Sequence, residues 1–466
     1  MGGFFGVASR EDCANDLFFG TDYHFHLGTR RGGLAVMNEG CVKRFIHDIS
    51  NAQFRSKFQP DLPRLHGRYG VGVISDTDDQ PVLIRSHLGL YAIATVGAIK
   101  NADAIAARLF AERRTHFSEM RGGTINPTEL VASLINEETT FADGIRRVHE
   151  TIEGSCSLLI ATDHGLYAAR DRWGRTPIAV GSKPGAWAAT FETSAFPNLG
   201  YRRVRDLGPG EVVRITPEGV ETLVPPGDKL RICSFLWVYY GYPAAAYEGL
   251  NVELVRYRCG AMLARRDDVK VDLVAGIPDS GTGHAIGYAA EARIPYQRPF
   301  VKYTPTWPRS FMPQIQSQRD LVAQMKLIPI EELIRGNRML FCEDSIVRGT
   351  QLKDTIRNLF DVGAKEVHMR PACPPLTHGC RFLNFSVSRS ELDLAARRAI
   401  HDIEGRDDAD LAVYSNADTP QYAEMVERIR KRLHLTTLRY QRLPDLVEAI
   451  SLSKDKLCTY CWDGVG

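Results

Sequence analysis

Two adjacent acids follow an apolar run, where a buried strand would carry them to the edge of a sheet. The run 339–342 ends at Glu343 and Asp344, and a turn of Arg, Gly and Thr leads into a helix that begins near Thr350. Backbone N–H groups and the positive end of the dipole at a helix start attract phosphate. Two neighbouring carboxylates can accept hydrogen bonds from a vicinal diol. Phosphate and diol together describe a ribose 5-phosphate, whereas the alternative is an ordinary strand–turn–helix with solvated acids.

A second candidate loop lies upstream, in the segment 277–289. Its glycines come close to the dinucleotide-binding fingerprint, but the third glycine is one residue late. Small residues in such a loop let backbone amides approach a diphosphate. A lone glycine loop is weak evidence, so its meaning depends on what lies beside it.

Cysteines form a third candidate group. Cys458 and Cys461 stand in a CxxC pattern close to the end of the sequence, which contains ten cysteines in 466 residues. A CxxC can place two thiolates on one metal ion or cluster. It can equally be a redox pair or a coincidence, and the spacing alone does not choose among these.

Composition and charge exclude several functional classes. The chain has 58 Lys and Arg against 56 Asp and Glu, a formal net charge of +2. Such a balance gives no general attraction for nucleic acid or an anionic membrane surface. No apolar run approaches the ~20 residues of a membrane helix. The first residues lack a basic region and acquire acids at Glu11 and Asp12, which argues against a secretory signal and predicts a cytoplasmic protein.

The elements that must position these groups change at a turn-rich stretch, 224–229, which contains two prolines and a glycine. Before it, short strand-like runs alternate with two helical patterns, which indicates packed sheets with helices outside. After it, strands apolar on both faces alternate with helices, which predicts a parallel sheet whose ligands lie at the carboxyl ends of the strands. The sequence therefore predicts two domains, residues 1–224 and 230–466.

The string 339–350 resembles the 5-phosphoribosyl 1-pyrophosphate loop of type I phosphoribosyltransferases, and most closely its amidophosphoribosyltransferase form. Glu343 stands where that form has a first Asp. The segment 277–289 is similar to the pyrophosphate loop of the same family. The resemblance implies an α/β phosphoribosyltransferase domain in which Ser280, Glu343 and Asp344 hold Mg²⁺. The substrate-binding positions that it implies are Asp279, Ser280, Glu343, Asp344, Ser345, Val347, Arg348, Gly349 and Thr350.

The segment from residue 302 to 326 resembles the flexible lid of that family. The resemblance implies catalytic roles for Lys302, Arg309 and Lys326, since cations on a closing lid stabilise a departing pyrophosphate and exclude water. Pro308 replaces the glycine of the family, which predicts a stiffer lid. A basic surface loop without function is the alternative.

The cysteine contexts resemble those of the iron–sulfur subset of amidophosphoribosyltransferases. Cys233 follows the domain boundary, Cys380 follows a Pro-Pro pair, and Cys458 and Cys461 form the terminal motif. The resemblance implies that these four thiolates hold a [4Fe-4S] cluster, with zinc as the competing metal. The other six cysteines are expected to be small core residues.

Residues 1–224 resemble the class II glutamine amidotransferase domain, an α+β N-terminal-nucleophile fold with an αββα sandwich. The catalytic cysteine of that class uses its own α-amine as base, but Gly2 stands at its position. The carboxylate clamp falls on 72–75, the oxyanion-hole motif on 95–97 and the amine-binding motif on 126–129, and the side chains that do this work are absent from all three. The sequence therefore predicts a domain that keeps its fold and lacks glutaminase activity.

The whole pattern predicts an amidophosphoribosyltransferase-like glycosyltransferase of purine biosynthesis. Its Mg²⁺-dependent reaction would transfer ammonia to C1 of phosphoribosyl pyrophosphate and release pyrophosphate. Two alternatives stay open: a catalytically silent sensor of phosphoribosyl pyrophosphate or purine nucleotides, or a transferase for a different amine. The family resemblance also implies a homo-oligomer, a dimer or a tetramer.

Overall fold

The structure, a computed structural model, describes residues 2–112, 116–121, 123–302, 327–383 and 390–466. Its strands are β1 Gly2–Ser9, β2 Arg31–Asn38, β3 Cys41–Asp48, β4 Tyr69–Ser75, β5 Val82–Ser86, β6 Gly89–Ile99, β7 Met120–Arg121, β8 Thr124–Ile125, β9 Gly154–Thr162, β10 Gly165–Ala169, β11 Ala179–Lys183, β12 Ala186–Thr190, β13 Arg202–Asp206, β14 Val212–Thr216, β15 Gly219–Val224, β16 Ile232–Cys233, β17 Ala246–Tyr247, β18 Leu250–Asn251, β19 Leu273–Gly276, β20 Phe300–Lys302, β21 Leu327–Pro329, β22 Arg338–Glu343, β23 Glu366–Pro371, β24 Thr437–Leu438 and β25 Leu457–Cys458. Its α-helices are α1 Ala14–Asp22, α2 Phe54–Phe58, α3 Ala102–Ala111, α4 Pro127–Ile135, α5 Phe141–Thr151, α6 Val252–Arg265, α7 Gly281–Ala292, α8 Glu331–Ile334, α9 Thr350–Val362, α10 Ala395–Glu404, α11 Leu411–Ser415, α12 Pro420–Leu433, α13 Leu443–Ile450 and α14 Tyr460–Asp463.

Two antiparallel sheets lie face to face in the N-terminal half. One has the strand order β13-β11-β12-β1-β4-β2-β3, and the other has the order β15-β14-β10-β9-β6-β5. Helices α1 and α2 pack on the outer face of the first sheet, and α3, α4 and α5 pack on the outer face of the second. The predicted αββα sandwich is confirmed.

The alternation of side chains along β1 explains the layering. Phe5 and Val7 pack in the cluster under α1, whereas Phe4 and Ala8 point to the opposite face and pack in the cluster between the sheets. The sheets approach closely at Gly6, where a Cβ atom would lie 2.8 Å from a Leu166 methyl carbon. Burial of both faces of β1 therefore makes it a central strand of the sandwich.

A four-stranded parallel sheet forms the core of the second half, with the order β19-β22-β23-β24. Along β22, Met339 and Phe341 pack in the cluster with α9, α10 and α12, while Leu340 and Cys342 pack in the cluster with α6 and α7. Helices thus cover both faces, as the run of apolar residues predicts. The predicted α/β domain with a parallel sheet is confirmed.

The two halves meet around a short parallel pair, β16 with β25. Strand β15 ends at Val224, and the chain then passes along the first domain: Arg231 N donates to Trp173 O at 2.7 Å and Cys233 N donates to Arg175 O at 3.1 Å. The domain limits at 224 and 230 remain sequence predictions. Within the described residues, none of the helices combines the length and the apolar character needed to span a bilayer.

Candidate functional site

The loops predicted to bind substrate leave two neighbouring strands at the same edge of the parallel sheet. Gly276 in β19 lies opposite Cys342 in β22, so the loops 277–280 and 344–349 begin side by side. Each loop leads directly into a helix, α7 or α9. A Cβ atom on Gly281 would lie 2.4 Å from Cys342 O, so only glycine allows α7 to begin this close to β22.

Asp344 joins the two loops through hydrogen bonds. The Ser280 hydroxyl donates to Asp344 Oδ2, and the Ser345 hydroxyl donates to Asp344 Oδ1 at 2.6 Å. Asp344 is buried, with 5% of its surface exposed. The structure therefore brings together three of the predicted substrate-binding residues from two loops 64 positions apart in the chain.

The acid pair carries more negative charge than its surroundings balance. Burial, and next the charge of Asp344, raise the pKa of the Glu343 carboxyl well above its ordinary value. A divalent cation or the hydroxyl groups of a diol would offset this repulsion. The oxygen-only donor set of Ser280, Glu343 and Asp344 is of the type that Mg²⁺ accepts in proteins.

The remaining residues predicted to bind substrate on this strand lie along the loop into α9. Gly349 has a φ of 74° and is the N-cap residue of α9, so a left-handed residue turns the loop into the helix. Val347 O accepts from Ala395 N at 2.8 Å. Arg348 pairs at 3.8 Å with Asp393, an acid that sequence reasoning missed because no spacing relates it to the loop.

The predicted catalytic lysine, Lys302, is the last residue of β20. Its ammonium pairs with Asp279, and both side chains are largely exposed. The structure thus places Lys302 beside the predicted pyrophosphate loop. Arg309, Lys326 and the rest of the predicted lid, 303–326, lie outside the described residues.

The four predicted cluster cysteines line one small cavity at the junction of the two halves. Cys233, Cys380, Cys458 and Cys461 share it with aromatic side chains that include Phe235 and Trp462. Within the described parts of the chain, no group of three or more His, Cys, Asp or Glu side chains is arranged to hold a metal ion. The four cysteines therefore border one common space.

The thiols of this cavity influence one another. The pKa of the Cys461 thiol is raised well above its ordinary value, first by the hydrogen bond between Cys461 and Cys380 and second by burial. Burial, and next the charge of Cys458, do the same for the pKa of Cys233. Thiols with raised pKa values keep their protons unless a metal cation replaces the protons. Charge compensation by iron or zinc fits this donor set.

The N-terminal half offers no nucleophile where its class carries one. Gly2 in β1 pairs with Ser75 in β4, which is one of the predicted clamp positions. A Cβ atom on Gly2 would lie 2.2 Å from Ile74 O, so the backbone leaves no space for a side chain there. The main chain around residue 2 therefore leaves no room for a cysteine side chain.

The positions aligned with the oxyanion and amine-binding motifs carry structural hydrogen bonds. The hydroxyls of Thr95 and Thr128 lie 2.6 Å apart, and Thr95 N donates to Gln80 Oε1 at 2.7 Å. Asn126 caps α4 by accepting from Thr128 N at 2.9 Å. The structure brings the two motifs together, but with their polar groups bonded to each other.

A buried polar group between the halves is a feature that sequence reasoning missed. Glu192 is fully buried and accepts from the Tyr247 hydroxyl at 2.5 Å and from Tyr242 N at 3.1 Å. His26 Nε2 lies 3.1 Å from its other oxygen. Because these partners come from distant segments, no local pattern reveals them.

Comparisons with known proteins agree with this architecture. A model of the glutamine amidotransferase domain family matches residues 66–198. The amidophosphoribosyltransferase of Mycobacterium bovis is 30% identical, over 99% of this chain and 85% of the relative. That of Synechococcus elongatus is 31% identical, over 98% and 89%. That of Methanothermobacter thermautotrophicus is 28% identical, over 99% and 93%.

Solved structures show the same arrangement of both halves. The glutamine phosphoribosylpyrophosphate amidotransferase of B. subtilis, solved with ADP and GMP, superposes with a TM-score of 0.85 at 26% identity, over 99% of this chain and 96% of that one. A structure described as the allosteric regulatory enzyme of purine biosynthesis gives a TM-score of 0.84 at 26% identity, over 99% and 95%.

Proposed function

Because the chain belongs to the amidophosphoribosyltransferase family, we propose that it transfers ammonia to C1 of phosphoribosyl pyrophosphate, releasing pyrophosphate and forming 5-phosphoribosylamine for purine biosynthesis. The observation that carries the proposal is the contact between the two loops, where Ser280 donates to Asp344. In an ordinary strand–turn–helix, nothing requires a buried carboxylate to join the two loops. A substrate that has a diol, a phosphate and a diphosphate requires both loops to lie side by side.

Each part of the substrate has a matching part of the chain. Glu343 and Asp344 accept hydrogen bonds from the ribose hydroxyls, and the backbone amides before α9 hold the 5-phosphate. The loop with Asp279 and Ser280 lies where the diphosphate would extend. Mg²⁺ held by Ser280, Glu343 and Asp344 would neutralise charge on the departing pyrophosphate.

Lys302 contributes to the same charge stabilisation. Its ammonium faces Asp279 in this structure, so an incoming diphosphate competes for it at the predicted loop. A cation that contacts the leaving group more strongly as charge develops lowers the barrier and leaves ground-state binding little changed. Arg309 and Lys326 have the same proposed role as cations of the lid.

The glutaminase half is proposed to supply no ammonia. Gly2 provides neither a thiol nor space for one, and Val96 stands at the position of the oxyanion-hole Asn. Ammonia would then reach the second half from solution. The N-terminal half would serve as a folded partner that packs against the transferase half.

Release of pyrophosphate from phosphoribosyl pyrophosphate tests the proposal. We expect release with Mg²⁺ and ammonium, and none above background when glutamine replaces ammonium. Release only with another amine would instead support a different acceptor. Magnesium-dependent binding of the substrate without turnover for any amine would support the sensor, and absence of binding would overturn the proposal.

A [4Fe-4S] cluster on Cys233, Cys380, Cys458 and Cys461 is the cofactor that we propose for this junction. The cysteine contexts resemble those of the iron–sulfur subset of the family, and all four thiols border one cavity, where each could ligate one iron of a cubane. The cluster would tie Cys233, at the entry to the second half, to the terminal motif.

Metal analysis distinguishes the two cofactors. Protein purified without oxygen should be brown and contain about four iron and four sulfide per chain. Cys461→Ser should remove the colour and lower the melting temperature, whereas Cys41→Ser, at an exposed cysteine remote from this cavity, should change neither. Colourless protein with one zinc per chain would contradict the cluster.

A further inference from the structure

A buried arginine from the N-terminal half borders the cavity of the four cysteines. Of the described residues that line this cavity, Arg175 is the one that carries a full charge at neutral pH. The others are the cysteines, four aromatic residues and Leu383. Arg175 is buried, with 4% of its surface exposed. A positive charge therefore lies at the edge of an otherwise uncharged space.

Within the parts of the chain that the structure describes, no carboxylate pairs with Arg175. Its Nε is a buried donor without a hydrogen-bond partner. The nearby Arg170 shows the contrasting arrangement, since its buried guanidinium pairs with Glu248 of the second half at 2.7 Å. Buried charges in proteins are normally paired because the desolvation of an isolated ion is costly. Arg175 lacks such a partner.

Hydrogen bonds fix the main chain around Arg175. The Asp171 carboxylate accepts from Trp173 N at 2.9 Å and from Thr176 N at 3.0 Å, which closes the turn that carries Arg175. Arg175 O accepts from Cys233 N at 3.1 Å, so this turn is bonded directly to one of the proposed cluster ligands. The backbone of Arg175 is thus held beside the cavity by bonds that do not involve its side chain.

The guanidinium of Arg175 lies close to the sulfurs. Its central carbon is 3.7 Å from the centre of the Phe382 ring, and an aromatic face compensates a cation only in part. Burial raises the pKa of the Cys458 thiol, against the opposing backbone hydrogen bond of Tyr460 and the opposing charge of Arg175. A charge that acts on Cys458 also acts on any metal–thiolate group that Cys458 holds.

An anionic group formed by the cysteines themselves would complete the surroundings of Arg175. Cys233, Cys380, Cys458 and Cys461 all line the cavity. A cubane held by four thiolates carries a net charge of roughly −2, and its reduced state is more negative still. A guanidinium offsets part of that charge and can donate N–H groups to sulfur. Arg175 is thus the described cation that is placed to do so.

We propose that Arg175 is the counter-ion of the [4Fe-4S] cluster and raises its reduction potential by donating to sulfur, an inference that rests on the cofactor proposed above. Positive charge and N–H···S hydrogen bonds favour the reduced state because it carries the larger negative charge. The four ligands come from residues 233–461, whereas Arg175 comes from the N-terminal half. The N-terminal half therefore tunes a cofactor that it does not ligate.

Redox titration of the full chain, purified without oxygen and followed by electron paramagnetic resonance, tests this role. Arg175→Met keeps an apolar stem against Phe382 and removes the charge and the donors. We expect this variant to bind iron as the wild type does, but to be reduced at least tenfold less favourably, which for one electron is a potential lower by about 59 mV. Arg172→Met is the matched control, because Arg172 is exposed on the same turn and does not line the cavity, and its potential should equal that of the wild type.

Failure of this role and failure of the cofactor give different results. Equal potentials for Arg175→Met and the wild type would overturn the role of Arg175 and leave the cluster in place. Wild-type protein without iron would overturn the cluster, and the counter-ion role with it. If Arg175→Met does not retain iron, Arg175→Lys, which keeps the charge, should retain it with a potential close to that of the wild type. Loss of iron from Arg175→Lys as well would show that the side chain matters for packing alone and would overturn the proposal.

Discussion

Each half of the molecule has one strand end at which its family carries a functional residue. In the second half it is the end of β22, and in the N-terminal half it is the start of β1. At the end of β22, Asp344 is held by two hydroxyl groups, and its neighbour Glu343 has a raised pKa. At the start of β1, Gly2 has no side chain, and Ile74 O fills the space where a Cβ atom would lie. The end of β22 thus keeps carboxylates without full charge compensation, whereas the start of β1 has no side chain at all.

The proposed loss of glutaminase chemistry would leave the fold of the N-terminal half intact. The sandwich is stabilised by apolar packing on both faces of its sheets, which does not involve Gly2. Within the aligned motifs, the hydroxyls of Thr95 and Thr128 bond to each other. The N-terminal half also contacts the second half, as in the hydrogen bond from Tyr247 to Glu192.

Asp344→Asn should produce the largest effect, on the half that keeps its charged site. We expect Mg²⁺-dependent binding of phosphoribosyl pyrophosphate to weaken by about 2–5 kcal/mol, which is tens to thousands-fold in affinity. The buried carboxylate is bonded to two hydroxyls and faces the proposed metal, so the amide cannot replace its charge. Calorimetry with and without Mg²⁺ measures the change.

Asp354→Asn is the matched control, because Asp354 is an exposed acid on α9, beyond the loop. It should bind the substrate with the affinity of the wild type. Equal affinities for the Asp344→Asn variant and this control would show that the acid pair does not contact the substrate. The contrast between the two strand ends would then disappear.

Local patterns predicted the elements that carry the candidate site because the physical signal there was local. Helix α4 begins at Pro127 after the cap Asn126, as proline at a first helical position favours, and α9 begins at Thr350 after Gly349. The apolar runs of β19 and β22 indicated strands covered on both faces. The order of the loops in the sequence then predicted which groups would meet at the sheet edge.

Contacts between distant segments could not be predicted in this way. Glu192 meets Tyr247 across the domain junction, and one cavity brings Lys353, Arg398 and Arg432 together from three helices. None of these residues forms a motif with its own neighbours. Their proximity depends on the packing of helices and domains, which one sequence does not specify by spacing.

Gly2→Cys should restore no glutaminase activity, which sharpens the contrast at the other strand end. The new Cβ atom would lie 2.2 Å from Ile74 O, so β1 or β4 must shift. We expect a loss of about 1–3 kcal/mol in the free energy of unfolding, as for other overpacked sites. Glutamate release and urea denaturation measure the two effects.

Gly219→Ala provides the steric control, because nothing lies within 4 Å of a Cβ atom at that glycine. It should unfold at nearly the urea concentration of the wild type. Glutamate release by the Gly2→Cys variant that a thiol alkylator abolishes would contradict the lost site. Unchanged stability of that variant would show that the strand end is more adaptable than its packing indicates.

His24 should give a smaller and pH-dependent effect within the N-terminal half. Burial lowers the pKa of its imidazole to about 4, against the opposing charge of Glu192, and Nε2 accepts a hydrogen bond from Glu192 N at 3.1 Å. In the unfolded chain the pKa is about 6.5. The unfolded state therefore binds a proton first as the pH falls, and stability is full above about pH 6.5 and is lost toward pH 4, at up to about 1.4 kcal/mol per pH unit.

Urea denaturation of the wild type and His24→Gln at pH 7, 6 and 5 measures that contribution. We expect the variant to be less stable at pH 7, because it loses the bond from Glu192 N, but to lose less stability than the wild type between pH 6.5 and 5. In both the wild type and the variant, His149 and His284 also make the free energy of unfolding fall with decreasing pH, since burial lowers their pKa values to about 4 and about 3. His164→Gln, at an exposed position, should retain the wild-type slope. If His24→Gln also retained it, His24 would not be held neutral, and the N-terminal half would be more open to water around β1 than its packing indicates.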